Sequence, residues 1–270
     1  TFPKLDLRDG TFILNSPIDL TEFFEKERTH HFLTDEQIEK IKKRAKEYEV
    51  TKVESDEIII METSHGTMKF DLFEDIAPQN CLNFKKLANS GYYDETAFHR
   101  IIPGFIIQGG DILSRDNNKN NDGLGNPGWT IKAEFSDKEH IRGTLSMHRI
   151  KNDINSAGSQ FFICLSEKEI LDNNYTIIGE IIDNIFILEI IEKLQSESVI
   201  ASRMLKEKIP KNENTDNWEK VRYNDQEYFL KIPDGQNKDD YIKILFDRLE
   251  NKTRPHVAVR IKTVRVINPN

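Results

Sequence analysis

Apolar positions along this chain fall mostly into short alternating runs, broken by a few stretches of helical spacing. Thr34-Asp35-Glu36-Gln37 has the form of a capping box, with Gln37 three residues after the cap. Ile38, Ile41, Ala45 and Tyr48 follow at helical spacing, which predicts a surface helix ending near Val50. A strand is predicted from Ile58-Ile59-Ile60, a turn at Ser64-His65-Gly66-Thr67, and a returning strand over Met68–Phe73. Ala77-Pro78 opens a second helix, because proline is tolerated in the first turn; Cys81, Phe84, Leu87 and Ala88 form its apolar stripe and Gly91 stops it.

From Phe98 to about Gly179 the pattern is short strands and glycine-rich loops. A helix with Ile187, Leu188 and Ile191 on its buried side runs from about Asn184 to Leu194. Residues 195–255 are polar, with a strand predicted at Tyr228–Ile232 and a short helix carrying Tyr241, Ile244, Leu245 and Arg248. Val257–Ile267 reads as a long strand whose Val257, Val259, Ile261, Val264 and Val266 are available to pack. Paired hairpin strands with only two core helices predict a mainly β fold, a closed antiparallel barrel capped at its open ends. The expected organisation is an N-terminal extension with one helix (1–53), the barrel (54–194), a polar α+β insertion (195–255) and a last barrel strand (256–270). No repeat of solenoid period is present.

Composition narrows the function. The 270 residues are 37% hydrophobic and 31% charged, with a net charge of −8. That balance argues against a general affinity for nucleic acid, which needs clustered Lys and Arg. No apolar run approaches the ~20 residues that span a bilayer. The two cysteines, Cys81 and Cys164, sit among apolar neighbours and read as buried free thiols; they imply no disulfide scaffold and cannot form a four-cysteine zinc site. The sequence begins at Thr1, so a periplasmic or cell-envelope setting is an expectation, with a cytoplasmic one as the alternative.

Three strings imitate other chemistries. Gly123-Leu124-Gly125-Asn126-Pro127-Gly128 matches a dinucleotide fingerprint, but a polar loop precedes it and Pro127 interrupts it, so a flexible surface turn is expected. Asp116, Asn118 and Asn120 start like a calcium loop, yet Asn121 and Pro127 replace its glycine and final glutamate. Ser146, His148 and Ser159 lack a nucleophile elbow and any marked acidic partner.

The informative segment is Phe98-His99-Arg100-Ile101-Ile102-Pro103-Gly104-Phe105-Ile106-Ile107-Gln108-Gly109-Gly110-Asp111. It reads as two apolar strands around a Pro-Gly turn, with one Arg and one Gln among the hydrophobic residues. Isolated polar side chains in such strands either find buried partners or face a cleft, and the pattern alone leaves both open for Arg100. Further blocks are Gly143–Met147, Asn155–Ile163, Leu171-Asp172 with Tyr175–Gly179, and Ala77-Pro78 through Phe84. Together they resemble the cyclophilin-type peptidyl-prolyl cis/trans isomerases, in family order over roughly residues 56–194, and 257–267 is similar to the family's last strand. Gly125–Trp129 and the loop between Met147 and Gln160 resemble bacterial members more than classical cytosolic eukaryotic ones.

The resemblance implies a closed eight-stranded antiparallel barrel with two capping helices and a groove on its outer face. It carries the catalytic arginine onto Arg100 and the glutamine that bonds the substrate backbone onto Gln108. Phe105, Ile106, Phe162, Leu171 and Tyr175 match the wall of the proline pocket. Arg149 lies where the family offers a main-chain contact, and Gln160 is a motif glutamine near the groove. The implied activity is isomerisation of X–Pro bonds in peptides and unfolded proteins, by a monomer needing no metal or organic cofactor. The flanking segments are available to a protein partner. The alternative is a proline-binding module or scaffold with little catalysis.

Three positions depart from the family pattern. His148 stands where a small residue is usual, either narrowing the site, adding a polar contact or pointing to solvent. Tyr175 stands where many members carry histidine, and keeps an apolar body with a polar tip. Ile170 replaces the tryptophan of cyclosporin-sensitive members, losing an indole N–H donor and a large contact surface. Weak cyclosporin binding is therefore predicted, and tight inhibition in a peptide isomerisation assay would contradict it.

Overall fold

The computed structural model describes residues 33–116 and 118–269; most of the expected N-terminal extension, residues 1–32, lies outside the described residues. Helix α1 (Asp35–Glu47) starts at the predicted capping box, where the Gln37 N–H donates to Thr34 Oγ1 at 3.3 Å and the Thr34 N–H to Gln37 Oε1 at 2.9 Å. Strands β1 (Ile58–Thr63) and β2 (Gly66–Leu72) form a hairpin, with Ile59, Met61, Met68 and Phe70 buried. Helix α2 (Pro78–Asn89) buries the stripe Cys81, Phe84, Leu87 and Ala88. There follow β3 (Thr96–Phe98), β4 (Arg100–Ile102), β5 (Ile106–Gly109), β6 (Thr144–Met147), β7 (Phe161–Cys164), β8 (Ile177–Asp183) and helix α3 (Phe186–Glu192). Helix α4 (Glu197–Met204), strands β9 (Trp218–Tyr223) and β10 (Gln226–Lys231), helix α5 (Lys238–Glu250) and β11 (Val259–Ile267) complete the chain.

Nine strands form one antiparallel sheet in the order β3-β11-β1-β2-β8-β6-β7-β5-β4. Its two ends, β3 and β4, are consecutive in the chain and separated only by His99. The run Thr96–Ile102 is thus one strand broken at a single residue: its first half pairs with β11 and its second with β5. That break turns the expected eight-stranded barrel into nine hydrogen-bonded segments, and the covalent chain bridges the two edges.

Phe161 sits in the barrel interior, edge-on to Phe84, Tyr93 and Phe98 with centroids 5.6, 5.4 and 6.2 Å away. Strand β11 turns Val259, Ile261, Val264 and Val266 inward. The spacing of three between Ile261 and Val264 absorbs a bulge: the register passes from Glu62↔Thr263 to Thr63↔Ile261, leaving Lys262 unpaired. Val257, expected to pack, lies before the strand begins and is exposed.

Residues 195–255 contain more order than their composition suggested. Alongside the predicted β10 and α5 they form α4, capped by Ser196, and β9, joined to β10 through Asn224 and Asp225. Both turn residues have positive φ, the geometry of a tight hairpin that Asn and Asp tolerate. Ala201, Val221, Leu230, Ile232, Leu245 and Leu249 make a small core separate from that of the barrel.

Phe161→Ala is predicted to cost about 3–5 kcal/mol, because the cavity it leaves is walled by aromatic rings. Val257→Ala should stay within about 0.5 kcal/mol. Urea unfolding midpoints check both, and similar losses from the two would contradict the placement of the core.

Candidate active site

Four neighbouring strands put two sets of side chains on opposite sides of the barrel wall. Ile101, Ile107, Ile163 and Leu145 stand opposite one another across β4, β5, β7 and β6, and all four belong to the barrel core. One residue along each strand, Arg100, Gln108, Phe162 and Ser146 form the equivalent row. Successive strand residues face opposite ways, so this second row looks outward. The Pro103-Gly104 turn fixes the β4–β5 register: the Phe105 N–H bonds Ile102 O at 2.9 Å, and Gly104 takes φ +67°, which suits glycine behind proline.

Arg100 and Gln108 of the outer row form one connected chain with Gln160. Arg100 Nη1 donates to Gln108 Oε1 at 3.2 Å, and Gln108 Nε2 donates to Gln160 Oε1 at 3.0 Å. Gln160 Nε2 donates onward to the carbonyls of Gly123 and Gly125 at 2.8 and 2.9 Å. Gln108 is buried while Arg100 remains partly open. The guanidinium is therefore steered from one side and keeps donors in reserve.

Beside this chain lies an apolar cluster outside the barrel: Ile106, Phe162, Cys164 and Leu171 are buried, with Phe105 and Tyr175 packed on them. The Phe162 ring is fixed twice, edge-on to Tyr175 at 5.3 Å and stacked on His140 at 6.0 Å. Arg149 lies over the Tyr175 ring at 4.8 Å and donates from Nε to Asn174 O at 2.8 Å, so its side chain holds the rim. The positions expected for the proline wall are thus brought together with Arg100 and Gln108 on one face. Ile170, in contrast, is 76% exposed and adds nothing to the cluster.

His148 is partly buried and lines two cavities, one of about 250 Å³ beside Arg100 and one of about 500 Å³ between residues 123–130 and 148–160. Burial, aided by Arg100 and Arg149, lowers its pKa to about 4, and it is neutral at pH 7.

The Gly123–Gly128 string is not the loose surface turn its sequence suggested. Asp111 accepts hydrogen bonds from the N–H groups of Leu113 and Gly123, and Gln160 holds two carbonyls of the same loop. A Cβ at Gly125 would stand 1.8 Å from Asp111 Oδ1, so the close approach demands glycine.

A relay that sequence reasoning missed lies behind Phe162. His140 Nδ1 is 2.7 Å from Asp172 Oδ1, and His140 Nε2 is 3.0 Å from Ser146 Oγ. Ser146 and His140 are buried, so no substrate reaches the hydroxyl; the relay holds the ring stacked on Phe162. His148 and Ser159, which beside Ser146 imitate a hydrolase set in the sequence, take no part in it. Both cysteines are free and buried, and burial pushes each thiol up to about 12. Among the described residues no group of three or more His, Cys, Asp or Glu is placed to hold a metal, and no helix is long and apolar enough to cross a membrane.

Comparison with known proteins bears on the family and the fold. Residues 58–213 match the model of the family described as cyclophilin type peptidyl-prolyl cis-trans isomerase/CLD. A peptidyl-prolyl cis-trans isomerase of Synechococcus elongatus is 41% identical over 125 residues, covering 46% of this chain and 80% of that protein. A peptidyl-prolyl cis-trans isomerase-like 3 of Gallus gallus is 38% identical over 143 residues, covering 50% and 82%. The crystal structure of a Cryptosporidium parvum cyclophilin type isomerase, in the presence of the dipeptide Ala-Pro, superposes with TM-score 0.52 at 26% identity, over 78% of this chain and 98% of that one. The nearly closed antiparallel barrel is the fold of that solved cyclophilin type isomerase. The chain belongs to the cyclophilin-type peptidyl-prolyl cis-trans isomerase family.

Asp122 lines the smaller cavity, and burial pushes its carboxyl up to about 7 against the opposing pull of Arg254. A carboxyl that holds its proton more tightly when folded stabilises fully below the ordinary carboxylate range, and that stability is lost as pH rises through about 7. Asp122→Asn should therefore gain on the order of 2–4 kcal/mol at pH 8, at 1.36 kcal/mol per unit. The gain should shrink by more than half at pH 5. Unfolding curves at the two pH values check it, and an equal effect at both would contradict the burial argument.

Proposed function

We propose that the outer-face groove accelerates rotation about X–Pro bonds in peptides and unfolded proteins, with Arg100 as the catalytic group. The observation that carries this reading is the placement of Arg100, steered by Gln108, two strands from Phe162 on the same face of the sheet. X–Pro rotation is slow because amide resonance imposes a barrier of about 18–20 kcal/mol. No bond needs to be broken to lower it. As the amide twists, the proline nitrogen becomes pyramidal and its lone pair leaves resonance. A guanidinium donor beside that nitrogen favours the twisted state over either planar one, which is binding matched to a transition state. Arginine suits the task because its charge is permanent and its donors form a rigid fork.

The apolar cluster of Phe105, Ile106, Phe162, Leu171 and Tyr175 holds the pyrrolidine ring while the acyl side turns. Gln108 bonds the substrate backbone, and Gln160, tied to two loop carbonyls, keeps Gln108 from rotating away. His148, neutral at pH 7, acts as a wall and a polar contact; the reaction transfers no proton for it to carry.

Arg100→Ala should lower cis/trans exchange of a short Ala-Pro peptide by about 100-fold or more, the scale seen for removing one transition-state donor. The melting temperature should hardly move, because the side chain is partly open and Gln108 keeps its bond to Gln160. NMR exchange spectroscopy measures the rate directly. Unchanged exchange in the variant removes Arg100 from its role, while peptide binding without faster exchange in the parent chain assigns the groove to a binding module.

A further inference from the structure

The groove is open beyond Arg100, on the side away from Phe162. There the sheet ends, and the chain returning from residues 195–255 runs along the exposed edge: the Ile101 N–H donates to Thr253 O at 2.7 Å. This return segment is itself latched. The Glu197 N–H donates to Arg254 O at 2.9 Å, and the Ser198 N–H to Asn251 O at 3.2 Å. The buried Glu197 carboxylate accepts from Arg254 Nη1 at 3.2 Å and from Lys119 Nζ at 2.8 Å, while Arg254 Nη2 donates to Lys119 O. Such an interlocked set holds the segment in one position against the barrel.

Between the segment and the groove lies the cavity of about 250 Å³. Arg100 and His148 line it from the groove, Asp122 from the loop, and Asn251, Thr253 and Arg254 from the return segment; no apolar side chain lines it. A wall of this kind disfavours an apolar side chain, which would strip water from polar groups and return no hydrogen bonds. Its charge decides between the polar alternatives. Two permanent guanidinium groups and one carboxylate line it, and burial, with Asp111 and Asp116 nearby, pushes that carboxyl, Asp122, up to about 7. Glu197 behind Arg254 is shared with Lys119, so it does not cancel both cations.

We propose that this cavity is a specificity subsite built by the return segment, taking a carboxylate side chain carried by a residue flanking the isomerising proline, against Arg254 with Arg100 alongside. The proposal rests on the reading of Arg100 and the apolar cluster given above, and it narrows the substrate class to acidic-flanked X–Pro segments. Glu197 and the Lys119 carbonyl each take one N–H of Arg254, and a carboxylate meeting a remaining N–H gains a charge-assisted bond, roughly twice as strong as a neutral one.

The test uses the full chain and three sets of short peptides that carry Glu, Ala or Lys immediately before or immediately after one proline. Affinity is read by titration calorimetry and exchange by NMR. At one of the two positions Glu should bind about tenfold tighter than Ala, as one charge-assisted contact predicts. Arg254→Met should bring that ratio close to one. Thr253→Glu leaves the Arg254–Glu197 latch in place, adds a carboxylate to the wall and should turn the preference toward Lys; it decides the matter if Arg254→Met does not fold. Equal affinity for Glu and Ala peptides at both positions, or a Glu preference unchanged in the folded variants, overturns the subsite while leaving the groove reading intact. Absence of binding and exchange with every peptide, Ala-Pro included, overturns the groove reading and the subsite with it.

Discussion

Neighbouring residues of a β-strand face opposite ways, and the arrangement of this molecule depends on that one constraint. Across β4, β5, β7 and β6, one set of residues fills the barrel and the next set along builds the outer face. A slip of one residue would send a guanidinium and an amide into a core that offers them no partners, and would expose Ile101 and Ile107. Core burial and groove construction are therefore the same energetic event. Packing that stabilises the barrel also fixes the backbone positions of Arg100 and Phe162 relative to each other, and Gln108, Tyr175 and His140 then orient the two side chains.

Much of this was legible in the sequence, for reasons that differ from residue to residue. The β1–β2 hairpin, α2 and β11 could be read because their apolar periods match their environments. Arg100 and Gln108 stood out as polar residues in apolar strands, yet that pattern left buried and cleft-facing roles equally open. Only the likeness to cyclophilins chose between them. The His140–Asp172 contact spans 32 positions and follows no period, so nothing local announced it. The glycine-rich loop misled because its fixed shape comes from Asp111 and Gln160, both distant in the chain. Strand β9 was hidden by its charge and helix α4 by its shortness, eight residues of which only Glu197 and Ala201 are buried.

Residues 195–255 show how a polar segment can be ordered without joining the barrel core. Their own small cluster supplies shape, and a buried carboxylate between two cations supplies attachment at the edge of the groove. Breaking one partner of such a buried set costs more than a surface ion pair does, so the attachment is specific even where the apolar area is modest.

The most direct measurement is the set of intermolecular nuclear Overhauser contacts between a bound Ala-Pro peptide and methyl- and aromatic-labelled protein. Proline-ring protons should contact Ile106 and the Phe162 ring, and should give no contact to Ile107 or Ile163, one residue further along the same strands. Contacts to Ile107 or Ile163, or none to Ile106 and Phe162, would contradict the division of inner and outer faces from which the site is built.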